Sequence, residues 1–415
     1  MVSRFPFRLC LILIVTFAAV IASLGTASPE QARAERRCHV DVKRLSLQSK
    51  QAFSGHNMLK RYAASVDYPV GTTYDQSAKI VLGVYSRNVY PTLLRSKIGT
   101  RTKTGVLAKQ QTPHAFSAIN GDFFLTPKIR GRTLEVARGP MVRNGRIIRA
   151  DRDRQRVVGV DKKFRPFAGV FGIKGGVRRG SHKAVDIVGV NWHRVQRHGA
   201  TIYTHDWKAS QATPRPAGRV EWVLNGNDRI VQLRSLDRNA NKRGNPVADG
   251  RRVIAFSRSD ASAARRAKVG NRVHVNLRQS TNNGRTLQTG IGRGLPLIKR
   301  GVAAPLGCAA YESKAARPRT IVGWNKAGAW RTFIVPGKYF SGPGLRQGGF
   351  GLAMSAAIAK KLGLWQAYEL DGGGSTTMYT QNTSGKWTRR DLYGFDTSTG
   401  AYEREMPNGL AFKHR

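Results

Sequence analysis

The sequence predicts an α+β fold of mixed, mostly antiparallel sheets with few helices and an internal pseudo-repeat. Three observations carry this. Short runs rich in β-branched and aromatic residues recur between glycine-containing turns. Helix signals are few, and strands and helices do not alternate in the doubly wound manner. Two stretches, far apart in the chain, repeat the same punctuation.

Arg4 and Arg8 precede an apolar run from Leu9 to Leu24, followed by the small residues Gly25 and Ala27. This is the layout of a secretory signal over residues 1–27, cleaved after Ala27. Retention as an anchor is the competing reading, but the run is short of the roughly 20 residues a spanning helix needs. No later stretch is apolar enough to span a bilayer. Residues 28–75 are polar and weakly patterned, and read as an extension or small subdomain. Residues 76–415 read as one sheet-rich domain.

Within it the expected strands are Lys79–Tyr85, Ala115–Ile119, Val157–Val160, Val220–Leu224, Val273–Leu277, Thr320–Gly323 and Arg331–Val335. The helix is Gly351–Leu362, where Leu352, Ala356 and Ala359 recur at helical spacing and Gly363 supplies the stop. Trp365–Leu370 then reads as a buried strand. The echo pairs Gly139–Gly145 and Arg156–Asp161 with Gly294–Gly301 and Thr320–Asn325. In each, a hairpin opened by Gly and Pro precedes a strand carrying Val-Gly. A duplicated hairpin unit explains this; ordinary hairpin punctuation explains it nearly as well.

Lys and Arg number 71 against 24 acids, a formal net charge of +47. Such a surface attracts polyanions. For an exported chain these are anionic wall polymers, phosphorylated glycans and acidic headgroups. The bases are spread along the whole chain without interleaved aromatic platforms, which speaks against nucleic acid. An anionic glycan is therefore an expected partner. Cys38 and Cys308 remain after Cys10 leaves with the leader; a disulfide and two unpaired thiols are both compatible with the sequence. No structural zinc pattern is available, no cofactor is certain, and a divalent metal stays open.

Four segments bear on chemistry. In Glu369-Leu-Asp-Gly-Gly-Gly-Ser-Thr-Thr377, three glycines after an apolar strand cost backbone entropy. They suit close approach to a ligand, or a nest of N–H groups for an anion. Glu369 and Asp371 are two apart on an extended segment and can share a face. No lysine follows the glycines, so the loop is not that of a nucleotide hydrolase. A capped glycine-rich turn is the plainer reading. Second, Ala118-Ile-Asn-Gly-Asp-Phe-Phe124 ends a strand at Ile119 and turns at Asn120-Gly121. Third, Arg319 leads into a buried strand and suits phosphate or carboxylate. Fourth, His193, His198, His205 and Asp206 match no metal-ligand spacing.

Taken in order, these segments resemble the phosphodiester glycosidase family over roughly residues 80–415, as a bacterial, secreted member. The resemblance rests on Ile119–Phe124, Gly139–Gly145, Gly294–Gly301, Pro318–Gly323, Glu369–Thr377 and the closing Pro407–Leu410. It implies hydrolysis of a sugar-1-phosphodiester on the glycosidic side. It also implies a site built from Asp371, Glu369 and Asp122 as catalytic carboxylates. Asn120, Gly121, Arg319, Thr320, Gly372, Gly373, Gly374, Ser375 and Thr376 would bind substrate and phosphate. Position 122 is often glycine in the family, so Asp122 adds a carboxylate and leaves substrate identity open. The rival readings are a non-catalytic cationic binder of wall polymers and a phosphodiesterase that cleaves the P–O bond.

Overall fold

The computed structural model describes residues 40–67, 77–112, 114–129, 132–194, 196–207, 213–214, 219–236, 247–306, 315–339, 346–391 and 403–415. The expected leader and cleavage site, Cys38 and Cys308 lie outside the described residues.

The architecture is predominantly sheet, with three α-helices among the described residues: Thr104–Gln111, Ala261–Arg265 and Leu352–Lys361. Each strand expected from β-branched runs is present, as Ser77–Val84, Ser117–Asn120, Gln155–Asp161, Arg219–Leu224, Val273–Thr281, Arg319–Trp324 and Trp330–Val335. The helix Leu352–Lys361 buries Leu352, Met354, Ala356, Ile358 and Ala359 and carries Lys360 and Lys361 in its last turn, where cations offset the helix dipole. It packs with Leu297, Ile321, Phe333 and Phe350 in one apolar cluster. Gln366–Glu369 is the strand that returns to the sheet.

Two large sheets carry the fold. In the eight-stranded sheet the order is Asp41–Ala52, Met58–Asp67, Ser77–Val84, Trp330–Val335, Arg319–Trp324, Gln366–Glu369, Pro296–Lys299, Val302–Ala303. Residues 41–67, which the sequence reads as weakly patterned, thus form a hairpin at one edge of this sheet. In the eleven-stranded sheet, six strands close into a ring: Met141–Arg143, Arg146–Asp151, Val185–Val190, Pro166–Arg179, Gln155–Asp161 and Leu287–Gly292, with the last pairing back to the first. A five-stranded sheet sets Ser117–Asn120 between Met378–Gln381 and Asn408–His414.

The echo seen in the sequence is a repeat of topology. In the ring, the hairpin Met141–Arg143/Arg146–Asp151 is separated from Gln155–Asp161 by the later strand Leu287–Gly292, antiparallel to both neighbours. In the other sheet, the hairpin Pro296–Lys299/Val302–Ala303 is separated from Arg319–Trp324 by the later strand Gln366–Glu369, again antiparallel to both. Each unit continues into a further antiparallel strand, Pro166–Arg179 or Trp330–Val335. One hydrophobic core joins the units: Val158, Ile291, Val322, Ile334, Ile119 and Leu410 belong to a single buried cluster. The two inserted strands end at Gly292 and Glu369, and the candidate site forms where those ends meet.

Candidate active site

Asp122 is the most constrained group at this junction. Asn120 stays inside its strand, opposite Gly409, because its N–H donates to the Thr377 carbonyl at 3.2 Å. The chain therefore leaves the sheet at Gly121, one residue later than an Asn-Gly turn would place it. The Asp122 N–H donates to Asn408 Oδ1 at 2.9 Å, and its carboxylate accepts from the Gly139 N–H. The carboxylate lies flat against two backbones. A Cβ on Gly139 would come within 2.8 Å of Asp122 Oδ2, and one on Gly292 would collide with the same oxygen. Glycine is required at both places for the close approach, not for its φ.

Asp122 is 2% exposed. Burial pushes its carboxyl up to about 7, and the neighbouring Asp371 carboxylate pushes the same way, against the Gly139 amide and Arg149. Arg149 is fully buried beneath it. The Arg149 Nη1 donates to the Asn191 carbonyl at 2.8 Å, its Nη2 lies 2.9 Å from His193 Nδ1, and its guanidinium stacks 4.2 Å from the Trp192 ring centroid. Burial and Arg149 hold the His193 imidazole down at about 3, so it is neutral and accepts the guanidinium hydrogen bond. Arg149 stays charged, lowered by burial to about 9.

Glu369 and Asp122 line one cavity of about 530 Å³, together with Phe123, Arg138, Arg156 and Arg293. The Glu369 backbone is fixed by paired hydrogen bonds with Gly294 and Leu295, at 2.9 and 3.1 Å. Its Oε1 is 3.0 Å from Arg319 Nη1, both side chains being buried. Arg319 also donates to the Phe350 and Ala315 carbonyls, each at 3.1 Å. Its fork is committed to protein partners, and in this geometry it positions Glu369. Burial pushes Asp371 up to about 6, opposed by Ser375, Arg404 and the Gly372 amide.

The glycine loop is built differently from an open anion nest. The Gly372 N–H donates to the Asp371 side chain at 3.0 Å and the Gly373 N–H to the Pro318 carbonyl at 2.8 Å. The Ser375 and Thr376 N–H groups close turns on Gly372 and Gly373. Glycine is needed here because Gly373 sits at φ +59° and a Cβ on Gly372 would lie 2.7 Å from the Pro318 carbonyl oxygen. Gly374, Ser375 and Thr376 are buried. Asn120 ties the loop down: its Nδ2 donates to the Asp371 carbonyl at 2.7 Å, while its Oδ1 accepts from Thr320 Oγ1 at 2.7 Å and from the Thr377 N–H at 3.0 Å. Gly121 accepts from the Asp371 N–H at 2.9 Å. Asn120, Gly121 and Thr320 thus orient Asp371 and Asp122.

Asp122 and Glu369 line one cavity, whereas Asp371 is not among its lining residues and acts on Asp122 through its nearby charge. The structure separates the histidines: His193 serves Arg149, His198 meets Ser259, and His205 lies 3.4 Å from Asp206, which is bound by Arg95 and Arg146. Among the described residues no group of three or more His, Cys, Asp or Glu gathers to hold a metal ion, and no helix is long and apolar enough to cross a membrane. The cavity's cations Arg138, Arg156 and Arg293 escape the sequence reading. One signal existed: Arg138-Gly139 and Arg293-Gly294 stand at the same place, just ahead of the Pro-opened hairpin of each repeat.

The junction thus confronts the buried carboxylates of Asp122 and Glu369 with three guanidinium groups in one cavity. Residues 218–413 match the phosphodiester glycosidase family model, which supports a glycosidase activity and bears out, over this stretch, the resemblance drawn from the motifs. No curated protein matches the chain. Among solved structures it is similar to a candidate exported protein of Burkholderia pseudomallei K96243 (TM-score 0.66, 14% identity, covering 91% of this chain and 98% of that one). It is also similar to a hypothetical protein from Synechocystis (TM-score 0.62, 15% identity, 91% and 81% covered). These likenesses show a shared fold. The catalytic domain of zebrafish N-acetylglucosamine-1-phosphodiester alpha-N-acetylglucosaminidase, auto-inhibited by its pro-peptide, aligns at a TM-score of 0.44 with 15% identity, covering 90% and 88%.

Proposed function

We propose that the chain is exported, its leader cut after Ala27, and that it hydrolyses the glycosidic bond of sugar-1-phosphodiesters in cell-wall or exopolysaccharide material. The supporting observation is the cavity in which Asp122 and Glu369 face Arg138, Arg156 and Arg293. The catalytic unit spans residues 76–415: the strand that delivers Asp122 is hydrogen-bonded between Met378–Gln381 and Asn408–His414, both inside or overlapping the matched stretch.

In this mechanism the three guanidinium groups bind the phosphodiester and stabilise the charge that builds on it. Glu369, held by Arg319, stabilises the positive charge at the anomeric carbon as the C1–O bond lengthens. Asp122, as a carboxylate, takes a proton from the attacking water, whose oxygen bonds to C1. The C1–O electron pair leaves with the phosphate, giving free sugar and a phosphomonoester. Asp371 raises the basicity of Asp122 by its nearby charge. A phosphate leaving group needs little acid assistance, which fits a site whose second carboxylate is tied up in an ion pair.

The test compares a glycosyl phosphodiester with a neutral glycoside of the same sugar. At roughly 1.5–3 kcal/mol for each charged hydrogen bond, two guanidinium contacts to phosphate give a kcat/KM preference of about 10²-fold or more for the diester. Equal turnover of the neutral glycoside overturns the reading.

A further inference from the structure

We infer that a second cationic groove beside the active-site cavity is a subsite for the next phosphate of a polymeric, repeatedly phosphorylated glycan; this rests on the function proposed above. The groove has a volume of about 320 Å³ and is lined by Arg152, Arg154, Lys174, Asp186, Gly172 and Ser280, among others. Its connection to the catalytic cavity is covalent and short. Arg154 lines the groove, and the next two residues, Gln155 and Arg156, line the cavity.

The register explains why the two lie side by side. Gln155 pairs with Phe171 and Arg156 with Val170, so the groove floor, Gly172 to Gly175, continues the strand that is hydrogen-bonded to these two cavity-lining residues. A Cβ on Gly172 would stand 3.0 Å from the Arg152 carbonyl oxygen and 4.0 Å from Arg154 Cγ, so glycine lets the floor approach the arginine turn. Only one acid lines the groove. Asp186 meets Arg152 at 3.1 Å, but both side chains are more than 60% exposed, and such a pair holds its partner weakly. Arg154 and Lys174 are exposed and have no acidic partner among the described residues. A monomeric diester bound in the cavity has no second phosphate to place in this groove. A polymer that carries a phosphate in each repeat occupies both, and gains affinity through the second contact.

The test uses the full chain and inorganic polyphosphate as a probe. Arg152→Gln, Arg154→Gln and Lys174→Gln are combined in one variant. A control removes the same charge elsewhere, from the exposed Arg44, Lys50 and Lys109. The groove variant is expected to bind polyphosphate roughly tenfold more weakly, and the slope of log affinity against log salt becomes shallower by about 0.7 for each phosphate that is no longer neutralised. The control keeps affinity near wild type. Equal losses in the two variants, or none in the groove variant, overturn the inference. Turnover of a repeating glycosyl-phosphate polymer against a monomeric diester is read in parallel. If neither is turned over, the functional reading fails, while the binding comparison still decides the groove.

Discussion

Asp122→Asn protein is expected to fold, to lose about 10²- to 10⁴-fold in kcat, and to become more heat-stable than the wild type at pH 8. The kinetic loss is the usual worth of a positioned general base. The stability gain follows from linkage. Asp122 titrates at about 7 in the folded chain, against about 3.9 for an unperturbed Asp, so the folded state holds the proton more tightly. That contribution is complete below pH 4 and is lost as pH rises through 7. A tenfold difference in proton affinity is worth about 1.36 kcal/mol, so at pH 8 the carboxylate costs on the order of 4 kcal/mol, which a neutral amide avoids. The Tm advantage of the variant should shrink on acidification to pH 5. Wild-type activity should rise with pH through about 7, because the base works only when deprotonated. Wild-type turnover in the variant, or wild-type activity that falls across this range, contradicts the assignment.

Arg319→Ala should be the most damaging change to the fold near the site. Arg319 is 3% exposed, and its removal leaves the buried Glu369 charge without its ion-pair partner and two carbonyls without their donor. Breaking such a pair costs about 3–5 kcal/mol, seen as a lower denaturation midpoint. Lysine cannot replace it, since one ammonium does not reproduce the guanidinium fork. Arg319→Met combined with Glu369→Gln removes both charges and should recover most of the stability without recovering activity. The KM-against-kcat split separates two roles for Arg319. A residue that positions Glu369 lowers kcat with little effect on KM; a residue that grips the phosphate raises KM. A large rise in KM at unchanged kcat would return Arg319 to the phosphate.

Much of the fold was legible because its strands are β-branched runs cut by glycine, and because Gly363 closes a helix whose apolar face recurs at helical spacing. The hairpin echo was legible as punctuation only. Its meaning lies in the strands Leu287–Gly292 and Gln366–Glu369, which insert between elements formed much earlier in the chain, and no local pattern encodes that. At the site, the carboxylates stood out because acids are scarce here. The arginines did not, because in a chain with 71 Lys and Arg no single one is informative. The glycine loop shows the opposite limit. Three glycines signalled close approach, and the approach is to Pro318, Asn120 and Gly121 of the chain itself.

The account turns on which bond breaks. Hydrolysis of a glycosyl phosphodiester in ¹⁸O-labelled water, with both products weighed by mass spectrometry, reads this directly. Attack at the anomeric carbon within the Asp122–Glu369 cavity places the label in the anomeric hydroxyl of the released sugar and none in the phosphomonoester. Label in a phosphate oxygen, whether on a phosphomonoester or on a sugar-1-phosphate, would mean attack at phosphorus and would contradict it.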